Sequence, residues 1–492
     1  MGRGARLERP ASFDTFIFDS PQDAFSQAMT IANKSIDATA RSSVTPIERQ
    51  EVKINRMADA TDRSSTGTIR LTGTNDAPSA LIDVGPEDIR NAARAIAGHV
   101  LHTPCPASPA LSDLTGSSVF CKLDYLQRTG SFKERGACNA LLHLKTSSSS
   151  IGAVTASAGN HALALAYHGQ RVDIPVTVVM PRHAPLIKAE NSRKLGANVI
   201  LHGESFPEAR EHARSLAQER GLTYVHGFDD PHVIAGAGTA GLEALADVPD
   251  ADAIIVPVGG GGLLAGVGLA VKSMMPDIEV IGVESCTMPG FRAAIDAGRP
   301  VDVAPYPTLA DGLAVGRVGE RAFAIGRRVV DRHVIVDESE IARAILRLIE
   351  LEKAVVEGAA AATLAALLGD HLPDLKGRRV ILMLCGGNID PLLLSSVIER
   401  GLVADDRILR FAASISDRPG GLARLTQSIA DSGATILEIN HDRAFSGDNA
   451  FQVNVDCRVG VRDRNHAESL LASLRLHWQI QHQPHTPSLP LA

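Results

Sequence analysis

The sequence predicts an α/β body joined to a small ferredoxin-like module. Between about residues 86 and 400, short runs rich in Val and Ile alternate with stretches long enough for crossover helices. Most of those runs are continuously apolar, as expected of a parallel-sheet strand buried on both faces. Beyond Gly401 the order becomes β-α-β-β-α-β, which builds a four-stranded sheet with two helices on one face. A chain of 492 residues has room for about three units at about 150 residues each. The expected units are an arm over residues 1–80, a main body over 81–402 and a C-terminal module over 407–485.

The arm is rich in Ser, Thr, Asp and Ala, and residues 61–75 follow neither the strand nor the helix period. It is therefore expected to be disordered apart from a short helix near 22–32. Pro86 is a favourable first helical residue, followed on one face by Ile89, Ala92, Ala93 and Ile96, and Gly98 stops the run. Strands are expected at 119–123, 153–156, 176–180, 198–201, 254–258, 280–283 and 380–384, with helices at 184–195, 207–220 and 338–367. In the module, 408–416 reads as a strand and 417–433 as a helix with Leu422, Leu425 and Ile429 on one face. A strand at 436–439 follows, then strict alternation at Phe451, Val453, Val455 and Cys457. Ala467, Leu470, Leu471 and Leu474 mark a second helix, and Leu476, Trp478 and Ile480 a last strand.

Lys plus Arg number 49 and Asp plus Glu 56, a net charge of −7 with no long basic block, which argues against nucleic acid as a partner. No window of about 18 uninterrupted apolar residues suggests a bilayer span. The six cysteines are dispersed without a C-x-x-C pair, which fits a reducing compartment. No apolar run follows Arg3 and Arg6, and Glu8, Asp14 and Asp19 come early, so a cytoplasmic location is expected.

Three loops carry the chemistry. Gly259, Gly260, Gly261 and Gly262 follow a strand and open a helix at Leu263. Backbone without Cβ atoms can fold its N–H groups around an anion there, with the helix start adding partial positive charge. The loop lacks the terminal Lys-Ser/Thr of a P-loop and a suitably placed acid for a ribose, which disfavours ATP and dinucleotides. In Thr129-Gly130-Ser131-Phe132-Lys133, Gly130 permits a sharp turn and Ser131 is a good N-cap. Lys133 falls in the first helical turn, where the dipole disfavours a cation and eases its neutralisation. A neutral lysine amine can condense with a carbonyl. The third loop, Ser157, Ala158, Gly159, Asn160 and His161, also runs from a strand into a helix, and its N–H groups suit a carboxylate.

These loops, with Cys385-Gly386-Gly387-Asn388 after another strand, resemble the fold type II pyridoxal-phosphate enzymes of the tryptophan synthase β-like fold. Lys122-Leu123-Asp124-Tyr125-Leu126-Gln127, Phe228-Asp229-Asp230-Pro231, Gly238-Thr239 and Ala310-Asp311-Gly312 narrow the resemblance to the threonine dehydratase (threonine ammonia-lyase) family over about residues 85–400. The continuation over 407–481, marked by Asp417-Arg418-Pro419-Gly420-Gly421-Leu422, resembles an ACT-like regulatory domain. The resemblance implies pyridoxal 5'-phosphate carried by Lys133, which then serves as base at Cα. It implies Asn160 at the cofactor's 3-hydroxyl, Gly259 to Leu263 around its phosphate, Cys385 facing its pyridine nitrogen and Phe132 beside its ring. The substrate carboxylate falls to Ser157, Ala158, Gly159, Asn160 and His161. Glu357, in a family-like Glu-Gly-Ala stretch, competes with the reading of an ordinary helix-surface carboxylate.

The implied reaction is elimination of water from L-threonine, after which the released enamine tautomerises to an imine and water hydrolyses it to 2-oxobutanoate and ammonia, with L-serine giving pyruvate. The alternatives are a serine or 3-hydroxyaspartate ammonia-lyase and, in another class, a non-catalytic amino-acid sensor that binds the cofactor. Ala158 stands where racemases of this fold carry a second serine, so little racemisation is expected. No carboxylate follows Glu284 within residues 285–292, so no structural metal is expected. Ala237 replaces the glutamine of a common Gly-Gln-Gly-Thr run, and Phe228 is read as favouring threonine over an acidic substrate. A homo-oligomer, dimer or tetramer, is expected, with an amino-acid effector at the ACT-like module.

Overall fold

The computed structural model describes residues 67–71, 83–147, 151–304, 306–442 and 451–482. The helix expected at 22–32 lies outside the described residues. In chain order the strands are β1 Gly67–Arg70, β2 Ser118–Lys122, β3 Ala153–Ala156, β4 Val176–Met180, β5 Asn198–Leu201, β6 Thr223–Tyr224, β7 Ala253–Pro257, β8 Glu279–Ser285, β9 Arg332–Val336, β10 Arg379–Met383, β11 Ile408–Ser416, β12 Thr435–Asp442, β13 Gln452–Gly460 and β14 Gln479–His482.

The body holds two sheets. One runs β1-β9-β8-β7-β10-β2 and is parallel except for β1, which pairs antiparallel with β9. The other, β5-β4-β3-β6, is parallel throughout. The continuous apolar runs end up where their composition requires: Ala253, Ile254, Ile255 and Val256 of β7 are fully buried between helices. Each such aliphatic side chain contributes roughly 1.5 to 3 kcal/mol of burial, so truncating Ile255 to alanine is expected to cost about 2 to 5 kcal/mol in denaturant unfolding. The C-terminal sheet runs β12-β13-β11-β14 with every neighbour antiparallel. Phe411, Ile415, Val453 and Val455 pack from its inner face against Leu425, Ile429, Leu470 and Leu474 of two helices. No helix among the described residues is long and apolar enough to cross a membrane.

Several elements depart from the pattern read in the sequence. Within the stretch expected to be structureless, Gly67–Arg70 forms an edge strand. Its support is the ladder to β9 and a bond from Thr68 Oγ1 to the His371 carbonyl (2.8 Å), which do not need an apolar period. β9 is hidden by Arg332 and His333. Arg332 is buried but paired, its Nη2 2.7 Å from Glu279 and its Nη1 2.8 Å from Asp374. Leu476 is 80% exposed, and the last strand begins only at Gln479.

The largest departure is the single helix expected at 338–367. It is two helices, Glu338–Arg347 and Gly358–Leu368, separated by a π-helical turn at Leu348–Glu352 and a short extended stretch. Lys353 takes a left-handed conformation (φ 56°) that ends the turn. Gly358 packs so closely on the Leu309 carbonyl that a Cβ there would overlap it. The apolar period continues across this break, which is why periodicity misses it.

Candidate functional site

Lys133 begins the helix Lys133–Thr146, with Phe132 in the cap position. Ser131 does not cap it. Its hydroxyl is buried without a hydrogen-bond partner, and its backbone instead bridges to Gly386, because this loop is stitched to residues 385–388. Phe132 N–H donates to the Cys385 carbonyl (2.9 Å), and Gly387 N–H to that of Gly130 (2.9 Å). Gly130 has φ 78°, and a Cβ there would overlap the Asn388 amide, so the turn requires glycine twice over.

The Lys133 amine donates to the Gly227 carbonyl at 2.7 Å and lies 4.9 Å from the centre of the Phe132 ring. Burial lowers its pKa to about 8, with the neighbouring Cys385 and Glu357 acting in the opposite direction. Desolvation, more than the helix dipole expected from the sequence, thus eases its neutralisation. The next residue, Phe228, packs under the glycine loop: a Cβ at Gly260 would overlap its ring and one at Gly262 its carbonyl. The amine and the loop therefore meet on two consecutive residues. These contacts make Phe228 a support for the loop. Gly261 has φ 89° and caps the helix Gly262–Met274, whose first intrahelical bond runs from Ala265 to Gly261, leaving earlier N–H groups without helical acceptors. Leu263 is buried in the body's core and offers the loop only its backbone.

The third loop follows β3 and starts the helix Asn160–Arg171. The Ser157 hydroxyl accepts from Gly159 N–H (3.2 Å), and Ala158 packs toward the smaller sheet's core. His161 is buried with Nε2 3.3 Å from the Val225 carbonyl, and burial holds its pKa down at about 3. It is neutral at physiological pH. Asn160 donates to both oxygens of Glu357 (3.0 and 2.9 Å) and accepts from Asn388 (2.9 Å), which also donates to the Thr129 carbonyl (2.7 Å).

Glu357 stands at the start of the second helix after the π-turn, 4% exposed, which rules out a helix-surface carboxylate. Burial pushes its pKa up to about 7, Asp311 adding to the effect and Asn160 opposing it. Cys385 is buried and its thiol pKa is raised well above the usual value by desolvation, so it is neutral. The structure thus brings Lys133, Phe132, Cys385 and Asn160 together, with the glycine loop joined through Phe228. Gly227 carries no signal in the sequence beyond its neighbour Phe228, and Asn388 belongs to the Cys385-Gly386-Gly387-Asn388 motif, whose resemblance assigns a role only to Cys385.

Residues 96–386 match the family model described as pyridoxal-phosphate dependent enzyme. The chain belongs to this family. An L-threonine ammonia-lyase of Thermotoga maritima is 43% identical over 384 residues, 78% of this chain and 95% of that protein. Among solved structures, the processed threonine deaminase isoform 2 of Solanum lycopersicum is 33% identical with a TM-score of 0.64, covering 68% of this chain and 98% of that one. The serine racemase of Dictyostelium discoideum is 35% identical with a TM-score of 0.59, covering 62% and 99%.

The residues of this pyridoxal-phosphate enzyme fit the cofactor. A buried amine of lowered pKa suits its aldehyde, and a glycine-only loop at a helix start suits its phosphate. No group of three or more potential metal-ligating side chains occurs among the described residues. Gly260→Ala is expected to weaken cofactor binding about 5- to 100-fold, since the new methyl must displace the Phe228 ring. Titration of the apo-protein followed by visible absorbance measures it.

Proposed function

We propose that this enzyme converts L-threonine to 2-oxobutanoate and ammonia, and L-serine to pyruvate and ammonia. The observation that carries the reading is the buried, easily neutralised amine of Lys133 beside a glycine anion loop and a neutral thiol. Pyridoxal phosphate supplies the aldehyde to which amines attach and the conjugated system that stabilises charge at Cα. In this proposal Gly259, Gly260, Gly261, Gly262 and Leu263 hold its phosphate through backbone N–H groups, Phe132 flanks its ring, Asn160 meets its 3-hydroxyl and Cys385 faces its pyridine nitrogen. Ser157, Ala158, Gly159, Asn160 and His161 receive the substrate carboxylate. Lys133 would serve as the base for the Cα proton, the β-hydroxyl would take up a proton and leave as water, and the released enamine, as its imine, would be hydrolysed by water to the 2-oxo acid and ammonia. A neutral Cys385 thiol is a weak donor and does not keep a ring nitrogen protonated, which favours expulsion of the β-group over a long-lived carbanion. Ala158 has no proton to deliver to the opposite face of Cα, so racemisation is minor.

A screen of L-threonine, L-serine and 3-hydroxyaspartate with cofactor-loaded protein, reading 2-oxo acid, tests the reading. A methyl difference at Cβ is worth about 1 to 3 kcal/mol, so threonine and serine are expected to differ by about 10- to 200-fold in kcat/KM. No 2-oxo acid from any of them favours the sensor, and substantial D-serine or D-threonine overturns the assignment to Ala158. Capture of the cofactor by apo-protein needs the neutral amine, whose fraction grows as pH rises. With the Lys133 pKa near 8, the capture rate is expected to climb with pH and reach half its plateau near pH 8. A half-point near 10, read by stopped-flow absorbance, contradicts a desolvated lysine.

The C-terminal module is proposed to bind an amino-acid effector, isoleucine or valine, where the helix Gly421–Asp431 starts after Gly420 (φ 92°), in a dimer or tetramer. Threonine saturation curves that do not change with either amino acid remove this regulatory role. A chain ended at Gly401 is unsuited to the test, because it cuts the helix Pro391–Ala404 where Gly401 packs on Ala342.

A further inference from the structure

We infer that Arg407 and Asp405, at the junction with the C-terminal sheet, position Glu357 through the π-helical turn Leu348–Glu352. This rests on the proposed function in placing Asn160, whose amide donates to both Glu357 oxygens, at the cofactor's 3-hydroxyl. Two arginines and two carboxylates lock the junction to the turn. Arg347 Nη2 contacts both Asp405 oxygens at 2.6 and 2.7 Å, and its Nη1 meets Glu350 Oε2 at 2.7 Å. Arg407 Nη1 takes the other Glu350 oxygen at 2.5 Å. The cluster is charge-balanced and only partly exposed, so solvent screens it less than an ordinary surface pair.

Arg407 is tied on both sides. Its N–H donates to the Leu402 carbonyl at the end of the helix Pro391–Ala404 (2.8 Å), and its carbonyl accepts from Val461, just beyond β13 (2.9 Å). Asp406 between them has φ 54°, so the chain turns sharply there. The chain enters the first strand of the C-terminal sheet directly after Arg407.

On the other side the turn leads directly to the site. Glu352 accepts from Ser108 Oγ (2.5 Å), Ala354 N–H closes back on the Leu348 carbonyl (3.1 Å), and Glu357 N–H donates to the Gly386 carbonyl (3.0 Å). Ala354 and Val356 are buried, so the short stretch from Lys353 to Glu357 has little slack. A π-turn carries one residue more than an α-turn, and such turns occur often at functional sites. Its return to α geometry would rotate the downstream segment by about 100°, one helical residue. Such a change would be the two-state element that coupling between distant places requires, and hydrogen exchange over the turn tests for it. Glu357 is thus held at the Asn160 amide by a device whose anchor is the C-terminal junction.

The experiment is hydrogen exchange on the cofactor-loaded full chain with Arg407→Gln, Glu350→Gln and Arg407→Lys, beside steady-state kinetics. Exchange over residues 348–357 is expected to rise about tenfold in the two glutamine variants. Peptides covering β3 and β4 are expected to stay unchanged, and Arg407→Lys to recover part of the protection. kcat is expected to fall about tenfold with a smaller change in KM. In a Glu357→Gln background Arg407→Gln is expected to add less than about twofold, since its effect passes through Glu357. Unchanged exchange over 348–357, exchange that rises equally everywhere, or losses that multiply fully in the Glu357→Gln background overturn the inference. A wild type without 2-oxo acid production removes the proposed reaction, and the exchange comparison alone then decides the inference.

Discussion

Lys133→Ala is expected to lower 2-oxobutanoate formation by about four orders of magnitude, the scale on which a positioned acid–base group acts. The visible band of bound cofactor should be lost at the same time. No neighbouring amine substitutes. Lys122 is fully buried, and its Nζ is committed to Glu243 (2.8 Å) and the Thr103 carbonyl (2.5 Å). Stability should move the other way. A lysine whose folded pKa is depressed binds its proton more weakly in the native state than in the unfolded chain, so the native state gains stability as pH rises from about 8 to about 10.5. Below pH 8 the burial of the ammonium opposes folding by on the order of 3 kcal/mol. Apo Lys133→Ala is therefore expected to unfold at equal or higher denaturant than apo wild type at pH 7, less the loss from the cavity. Lost activity with intact or raised stability separates a chemical role from a structural one. A variant retaining more than about a tenth of the activity would remove Lys133 from the proposed chemistry.

How far the site could be read beforehand depended on whether residues announce themselves locally. The glycine loop and Lys133 did, because a strand, a sharp turn and a helix start leave a composition that few other arrangements produce. β7 and β10 did as well, since burial on both faces forces a continuous apolar run. Glu357 did not. Its place follows from a π-turn and a left-handed Lys353, and neither disturbs the hydrophobic period of the surrounding helices. β9 was hidden for a related reason: Arg332 and His333 look exposed in sequence, but Arg332 is made an interior residue by ion pairs with Glu279 and Asp374, and His333 lies buried with Nε2 2.9 Å from Glu284. Periodicity reports which faces are apolar. It is silent on polar groups that are buried because a distant partner satisfies them.

Arg135 is the strongest case of such a group, and Arg135→Met is expected to cost about 3 to 5 kcal/mol of stability. The guanidinium is fully buried and grips two carboxylates bidentately. Nε and Nη2 reach Asp124 at 2.8 Å each, and Nη1 and Nη2 reach Glu243 at 2.7 Å each. Asp124 is fully buried itself, so removing the cation strands a charge that water cannot reach. In the wild type the pair holds the pKa of Asp124 and of Glu243 below the ordinary carboxylate values. Their contribution is complete above about pH 4 to 4.5 and is lost as pH falls through the depressed folded values. In Arg135→Met the sign reverses for Asp124. Without its partner, desolvation raises its pKa, and protonation relieves the stranded charge. The stability gap between variant and wild type should therefore narrow between pH 8 and pH 5 in urea unfolding. A gap independent of pH would instead point to lost packing volume. Substituting Asp124→Asn in the Arg135→Met background should likewise recover part of the loss at pH 8, because a neutral amide costs less to bury than an unpaired carboxylate. The cluster lies two residues beyond Lys133 on the same helix, and Glu134 between them is buried too, bonded to Thr129 N–H and 3.2 Å from His168. The Lys133 amine is thus flanked along the helix by charged groups paired within the fold, which hold the helix start in one position.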